Sequence, residues 1–151
     1  MACFQKAFFA SDHGGVALRS VLLDKLGAHG IQVEDLGVTD AGQSVDYPAY
    51  GKRLAEAVAE AWSGGATNVC GILLCGSGIG MSMAANRVPG VRAALVSETT
   101  SATLCREHNN ANVLCLGARI IGPSLAEAIL ETFLTEPFAG GRHQRRVDMM
   151  G

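Results

Sequence analysis

Short apolar runs alternate with longer stretches of helical periodicity along the chain, and the alternation predicts a repeating strand–helix order. Residues 6–10 form a first strand that gives way to the polar turn Ser11-Asp12-His13-Gly14-Gly15. Residues 16–29 continue as a helix, with Val21, Leu22 and Leu26 on one face and Gly30 as its stop. A second strand covers residues 31–36. After a loop rich in Gly, Asp and Ser, Asp46-Tyr47-Pro48 opens a helix in which proline suits the first turn and Leu54, Val58 and Trp62 recur every four residues. Residues 69–75 are apolar throughout and read as an interior strand of a parallel sheet, and residues 81–85 start the helix after it. Strands at 92–96 and 113–116 lead into helices at 98–107 and 123–134, and Gly140-Gly141 sets the last of these apart from a basic tail.

Five such repeats call for an α/β protein of three-layer α/β/α, Rossmann-like form: a five-stranded parallel sheet covered by helices on both sides. A length of 151 residues suits a single domain over 1–151, with 135–151 as a C-terminal basic tail. The chain is 48% hydrophobic and only 17% charged, which describes a compact fold with little disordered surface. Its net charge of −2 gives no support for nucleic-acid binding. No apolar run approaches the ~20 residues that span a bilayer, and the N-terminus lacks the basic start and long apolar core of a signal peptide. Five cysteines cannot all pair within the chain, so they read as reduced thiols in a cytoplasmic protein.

In parallel sheets ligands collect beyond the carboxyl ends of the strands. Asp12 and His13 follow the first strand, Cys75 and Ser77 the third, and Arg119 the fifth; His108-Asn109 lies between a helix and the fifth strand, which leaves its edge open. Cys75-Gly76-Ser77-Gly78-Ile79-Gly80 is the most informative stretch. Alternate glycines let backbone amides turn inward as an anion-binding nest beside the positive end of a helix, and a thiol at its head is pushed toward thiolate. One segment thus offers a base or nucleophile together with a cradle for negative charge. In the tail, Arg142 and Arg146 share a face if the segment is helical, and two guanidiniums suit a phosphate.

Each feature also has a plainer reading. The glycine turn can serve packing alone. Cys70, Cys105 and Cys115 sit in apolar surroundings, as core residues do. His29 suits the negative end of a helix. His13 and His108 stand between catalysis and simple hydrogen bonding, and the tail arginines between a phosphate and solvent. Several sharper alternatives fail. A dinucleotide turn starting at Gly76 would need Gly or Ala where Met81 stands, and it normally follows the first strand; Glu98, beyond the fourth strand, is the one acid placed to take a ribose hydroxyl. A Cys-x5-Arg phosphatase would need arginine at 81. No Walker A pattern occurs, and no spacing of cysteines or histidines suits zinc.

Ser11-Asp12-His13-Gly14, Asp46-Tyr47-Pro48, Cys75-Gly76-Ser77-Gly78-Ile79-Gly80, Ala84-Ala85-Asn86, Arg106-Glu107-His108-Asn109, Asn112-Val113-Leu114, Gly117-Ala118-Arg119 and Gly140-Gly141-Arg142-His143-Gln144-Arg145-Arg146-Val147 occur in order over nearly the whole chain. As a set they resemble the ribose-5-phosphate isomerase B family, with its relatives acting on galactose 6-phosphate and allose 6-phosphate. The resemblance implies interconversion of D-ribose 5-phosphate and D-ribulose 5-phosphate through an enediolate, in the pentose phosphate pathway, with no metal or organic cofactor. It makes Cys75 the base, with Ser77 polarising the thiol and the amides of Gly76, Ser77, Gly78, Ile79 and Gly80 as the oxyanion hole. It makes His108 the acid that opens the furanose ring, with Asn109 holding sugar hydroxyls. Asp12 and His13 become sugar-binding residues, Asp12 also relaying protons between O1 and O2. Arg119, Arg142 and Arg146, with His13, become the phosphate clamp. Some members use a glutamate at the position of Met81 in place of the cysteine, so Cys75 with Met81 points to the thiol-base branch. Members are homodimers, or tetramers of dimers, with sites shared between subunits. Two alternatives stay open: an allose- or galactose-6-phosphate isomerase, and a non-catalytic phosphosugar or nucleotide binder. The galactose-specific members work as paired unlike subunits that lack parts of the site, whereas Cys75, His108 and all three arginines are present here.

Overall fold

Side-chain alternation along the central strands divides the core into two halves. The computed structural model describes residues 1–151, with strands β1 (Lys6–Ser11), β2 (Gln32–Asp35), β3 (Val69–Cys75), β4 (Ala93–Leu95) and β5 (Val113–Gly117). Its helices are α1 (Arg19–Ala28), α2 (Tyr47–Ser63), α3 (Ile79–Ala85), α4 (Thr99–Glu107), α5 (Pro123–Thr135) and α6 (Arg142–Asp148). Ala7 and Phe9 of β1, Cys70, Ile72 and Leu74 of β3, and Leu114 and Leu116 of β5 pack with α1, α4 and α5. The intervening Phe8, Ala10, Leu73, Cys75, Val113 and Cys115 pack with α2 and α3 on the other face. A strand buried on both faces has to be apolar at every position, which is why β3 shows no polar alternation. The five strands are all parallel, in the order β2-β1-β3-β5-β4. This is the three-layer α/β/α frame expected from the sequence.

Differences from the expected elements have local causes. The first helix begins as a 3-10 turn over His13–Leu18, with Asp12 Oδ1 accepting the Gly15 N–H at 3.1 Å, and becomes α-helical only at Arg19. Two glycines disfavour a regular α turn there, and the Asp12 carboxylate caps the tighter one. The edge strands β2 and β4 are shorter than expected, each having a partner on one side only. Helix α3 starts at Ile79, two residues before the apolar pattern becomes helical. His29 does more than sit at a helix end: its Nε2 meets Glu131 Oε2 at 2.7 Å and ties α1 to α5. No helix is long and apolar enough to cross a membrane.

Buried Arg106 organises the end of α4. Its Nη1 donates to Asn110 Oδ1 at 3.0 Å and to the Ala111 carbonyl at 2.5 Å, and its Nε donates to the Glu136 carbonyl at 3.3 Å. The guanidinium lies 4.9 Å from the Phe4 ring centroid and 5.7 Å from that of Phe133. No carboxylate is needed, because carbonyl dipoles and aromatic faces solvate the cation.

Candidate active site

The register β1–β3–β5 sets Ser11 beside Leu74 and Cys75 beside Gly117, so the loops leaving these three strands meet at one edge. There Asp12, Tyr47, Cys75, Gly76, Ser77, Ile79, Gly80, Met83, Arg119 and Ile120 line a cavity of about 510 Å³. Cys75 is the last residue of β3 and is only 5% exposed. The turn after it is closed by the Gly78 N–H, which donates to Cys75 Sγ at 3.0 Å, and by the Ile79 N–H, which donates to Ser77 Oγ at 3.2 Å. Sulfur accepts in the first bond and the Ser77 oxygen in the second, so the Ser77 hydroxyl hydrogen remains available to the cavity. The amides of Gly76, Ser77 and Gly80 have no acceptor within the protein. The nest is therefore formed, with Gly78 and Ile79 committed to shaping it.

Gly78 carries the strain of this turn. Its φ of 77° lies in the left-handed region, and a Cβ there would fall 2.6 Å from Leu95 Cδ1 and 2.9 Å from the Leu116 carbonyl carbon. Gly80 is needed for another reason: its Cβ would fall 2.5 Å from the Tyr47 ring, which covers the start of α3. Tyr47 is a cavity residue that the sequence offered only inside the Asp46-Tyr47-Pro48 motif; no spacing marked its ring as a neighbour of Gly80.

The remaining expected residues divide into two groups. Asp12 is buried, with Oδ1 fixed by Gly15 N–H and its own N–H bonded to the Leu74 carbonyl at 3.1 Å. His13 Nδ1 accepts the Val45 N–H at 3.2 Å, which leaves its proton on Nε2. The Arg119 N–H donates to the Gly76 carbonyl at 2.9 Å, and its guanidinium lies against Gly76. Asp12 and Arg119 line the cavity with Cys75, while His13 stands next to Asp12 in sequence and outside the cavity's lining. His108, Asn109, Arg142 and Arg146 do not line that cavity.

Topology explains the division. Helix α4 starts beyond the carboxyl end of β4 and runs back, so its C-cap His108 lies at the amino ends of the strands, just before β5. Cys75 closes the opposite edge, and the five residues of β5 separate the two by about 17 Å. Asn109 there lines a second cavity of about 500 Å³, with Asn86, Arg92, Cys105 and Met150. The tail is helical as α6, which puts Arg142 and Arg146 on one face and stacks His143 on His108 with ring centroids 4.2 Å apart.

Other candidates resolve into structure. Glu98, placed by sequence for a ribose hydroxyl, caps α4 by accepting the Thr100 and Ser101 N–H groups at 2.6 Å each. All five cysteines are unpaired. Burial pushes the Cys70 thiol up to about 12 against the opposing pull of Arg106, and Cys105 to about 11 in the same way. Cys115 is raised too, first by burial and then by Cys75 beside it. These three are core residues and poor nucleophiles.

A model of the family described as Ribose/Galactose Isomerase matches residues 7–150. The chain is 42% identical over 144 residues to ribose-5-phosphate isomerase B of Escherichia coli, covering 95% of this chain and 93% of that protein. It is 38% identical over 141 residues to D-erythrulose-4-phosphate isomerase of Pectobacterium atrosepticum, covering 93% and 90%. The solved ribose 5-phosphate isomerase B of Anaplasma phagocytophilum aligns with a TM-score of 0.90 at 45% identity, covering 100% of this chain and 99% of that one. The Mycoplasma genitalium enzyme of the same name, solved with bound ribulose-5-phosphate, aligns at 0.89 with 41% identity, covering 96% and 93%. A likeness that runs nearly end to end, on a sheet whose central strand presents a cysteine-headed glycine turn, places this chain in the ribose/galactose isomerase family and makes it an isomerase.

Proposed function

We propose that this isomerase interconverts D-ribose 5-phosphate and D-ribulose 5-phosphate through an enediolate, with Cys75 as base and each site assembled from two copies of the chain. The observation that carries the proposal is Cys75 Sγ at a cavity wall, accepting Gly78 N–H beside the free amides of Gly76, Ser77 and Gly80. A proton on carbon next to a carbonyl is weakly acidic, so the base works only if the oxygen gaining charge is stabilised as the proton leaves. Each well-aimed amide lowers such a barrier by about 2.7–4 kcal/mol.

The sugar enters as a furanose. His108 donates a proton to the ring oxygen as the C1–O bond breaks, and the O1 hydroxyl loses its proton to give the aldehyde. Cys75, acting as its thiolate, then takes the C2 proton to become the thiol; the C–H electron pair becomes the C1–C2 double bond, and the carbonyl pair moves onto O1, facing the nest. Return of the proton to C1, with O2 losing its own, gives the ketose. Asp12, held by Gly15 N–H, carries protons between O1 and O2. Ser77 presents its hydroxyl hydrogen to the same region, and Asn109 holds sugar hydroxyls. Arg119 and His13 take the phosphate from the Cys75 side, and Arg142 and Arg146 from the other, so residues 135–151 belong to the site.

The opposite-edge placement of Cys75 and His108 supports a shared site, since one chain cannot bring them to one sugar. A homodimer, or a tetramer of dimers, closes the arrangement by symmetry. Five free thiols suit a reducing, cytoplasmic setting. The direct test is solvent deuterium exchange into D-ribulose 5-phosphate. Cys75→Ala should abolish both label uptake and turnover while leaving binding nearly unchanged, and label uptake at the wild-type rate overturns the base assignment. Mixing Cys75→Ala with His108→Ala tests the sharing. Random pairing restores one intact site per mixed dimer, hence about a quarter of wild-type activity; no recovery overturns it. The tetrose-phosphate activity in the name of the Pectobacterium relative favours a second reading in sugar length, so D-erythrulose 4-phosphate and D-allose 6-phosphate belong in the same assay.

A further inference from the structure

We propose that His143 is a positioning residue for ring opening, its imidazole fixing the plane of the His108 ring. The inference rests on the reading of His108 as the ring-opening acid.

The two rings stack with centroids 4.2 Å apart and planes within 10°. The stack is built into the chain: the Ala139 N–H donates to the Glu107 carbonyl at 3.1 Å, buried Val147 anchors α6, and His143 lies one residue past the helix start. His108 caps α4 through its backbone, and Glu107 Oε2 lies 4.0 Å from its ring Nε2. A general acid must point its N–H at one oxygen, and without the stack this half-exposed ring would be free to swing.

Electrostatics then disfavours a second charge on the stacked pair. Two imidazolium rings this close repel, so the pair takes its protons in separate steps. The charged groups around it are Glu107 from α4 and Arg142 and Arg146 from α6. Partial burial, followed by the positive charges of His108, Arg142 and Arg146, lowers the pKa of His143, and Glu107 opposes the shift. The neutral imidazole is thereby favoured for His143, which keeps a second positive charge away from the face of His108.

The experiment uses a chemical difference between the substrates. The aldose must open before it reacts, whereas the 5-phosphorylated ketose has no free hydroxyl to close a five-membered ring and enters open. His143→Ala should lower kcat from ribose 5-phosphate about tenfold, change KM less than threefold, and leave deuterium exchange into ribulose 5-phosphate at the wild-type rate. His143→Phe keeps a flat ring that cannot take the proton, and should restore kcat to within about threefold of wild type. A rise in KM with kcat intact makes His143 a phosphate ligand and overturns the inference, as does an equal loss in the exchange assay. His108→Ala is run in parallel. If it is slowed from the aldose while His143→Ala is not, the positioning role alone falls; if His108→Ala converts the aldose normally, the acid assignment falls and the inference with it.

Discussion

Gly78→Ala tests whether the conformation of the glycine turn makes this site. An alanine at φ 77° costs about 1–2 kcal/mol from the left-handed backbone alone. Its Cβ would also sit 2.6 Å from Leu95 Cδ1, 2.9 Å from the Leu116 carbonyl carbon and 3.2 Å from the Gly117 nitrogen. Leu95 is 42% exposed and can swing away, but the other two atoms are backbone of a central strand and cannot. Overpacking of that kind adds about 1–3 kcal/mol, for a total of about 2–5 kcal/mol against the observed turn. The turn escapes by changing its backbone, and then the Gly78 N–H leaves Cys75 Sγ and the free amides lose their common aim. At 1.36 kcal/mol per tenfold, kcat falls by at least about 30-fold. Steady-state kinetics on ribose 5-phosphate would measure this, with urea unfolding in parallel. Gly27→Ala is the internal control: that position is exposed in α1 with nothing within 4 Å of a Cβ, so the change adds about 0.5–1 kcal/mol of stability and leaves kcat alone. If Gly78→Ala keeps kcat within threefold of wild type with an unchanged unfolding midpoint, the strain and close-approach reasoning is wrong.

Three further outcomes follow from the geometry. Arg106→Met should destabilise by about 3 kcal/mol, because the Ala111 and Glu136 carbonyls lose a buried donor, and lower Tm by roughly 6–12 °C; calorimetry showing a drop under about 2 °C contradicts the assigned role. Hydrogen bonds from Ser101 and then Thr100 hold the Glu98 carboxyl below its ordinary value of 4.5. A depressed native pKa stabilises above the unfolded value and ceases to as pH falls through the native one, so the Tm gap between wild type and Glu98→Ala should be full at pH 7 and shrink progressively as pH falls below 4.5. A gap that stays constant to pH 2 rules this out. Iodoacetamide inactivation should track labelling of Cys75 and slow in ribose 5-phosphate. Cys70 and Cys105, whose thiols burial raises to about 12 and about 11, stay protonated at pH 8 and react slowly. Mass spectrometry finding lost activity with Cys75 unlabelled would rule out its role.

Most of the fold was legible because its signals are local. A seven-residue apolar run in a chain of helical periodicities leaves few options but a buried parallel strand, and Val69–Cys75 is that strand to the residue. Elements whose limits depend on neighbours were less legible: β2 and β4 shorten where pairing ends, and the first helix tightens where Asp12 caps a glycine pair.

The cysteine-headed glycine turn is determined by sequence alone, since a thiol ending an apolar strand and alternate glycines after it are properties of adjacent residues. Which residues share that site is not. Only the tertiary structure brings the Tyr47 ring to Gly80, stacks His143 on His108, and turns Glu98 into a helix cap. Only it puts His108 and Cys75 on opposite edges of the sheet, because a helix that returns from one strand to the next reverses direction whatever its side chains are.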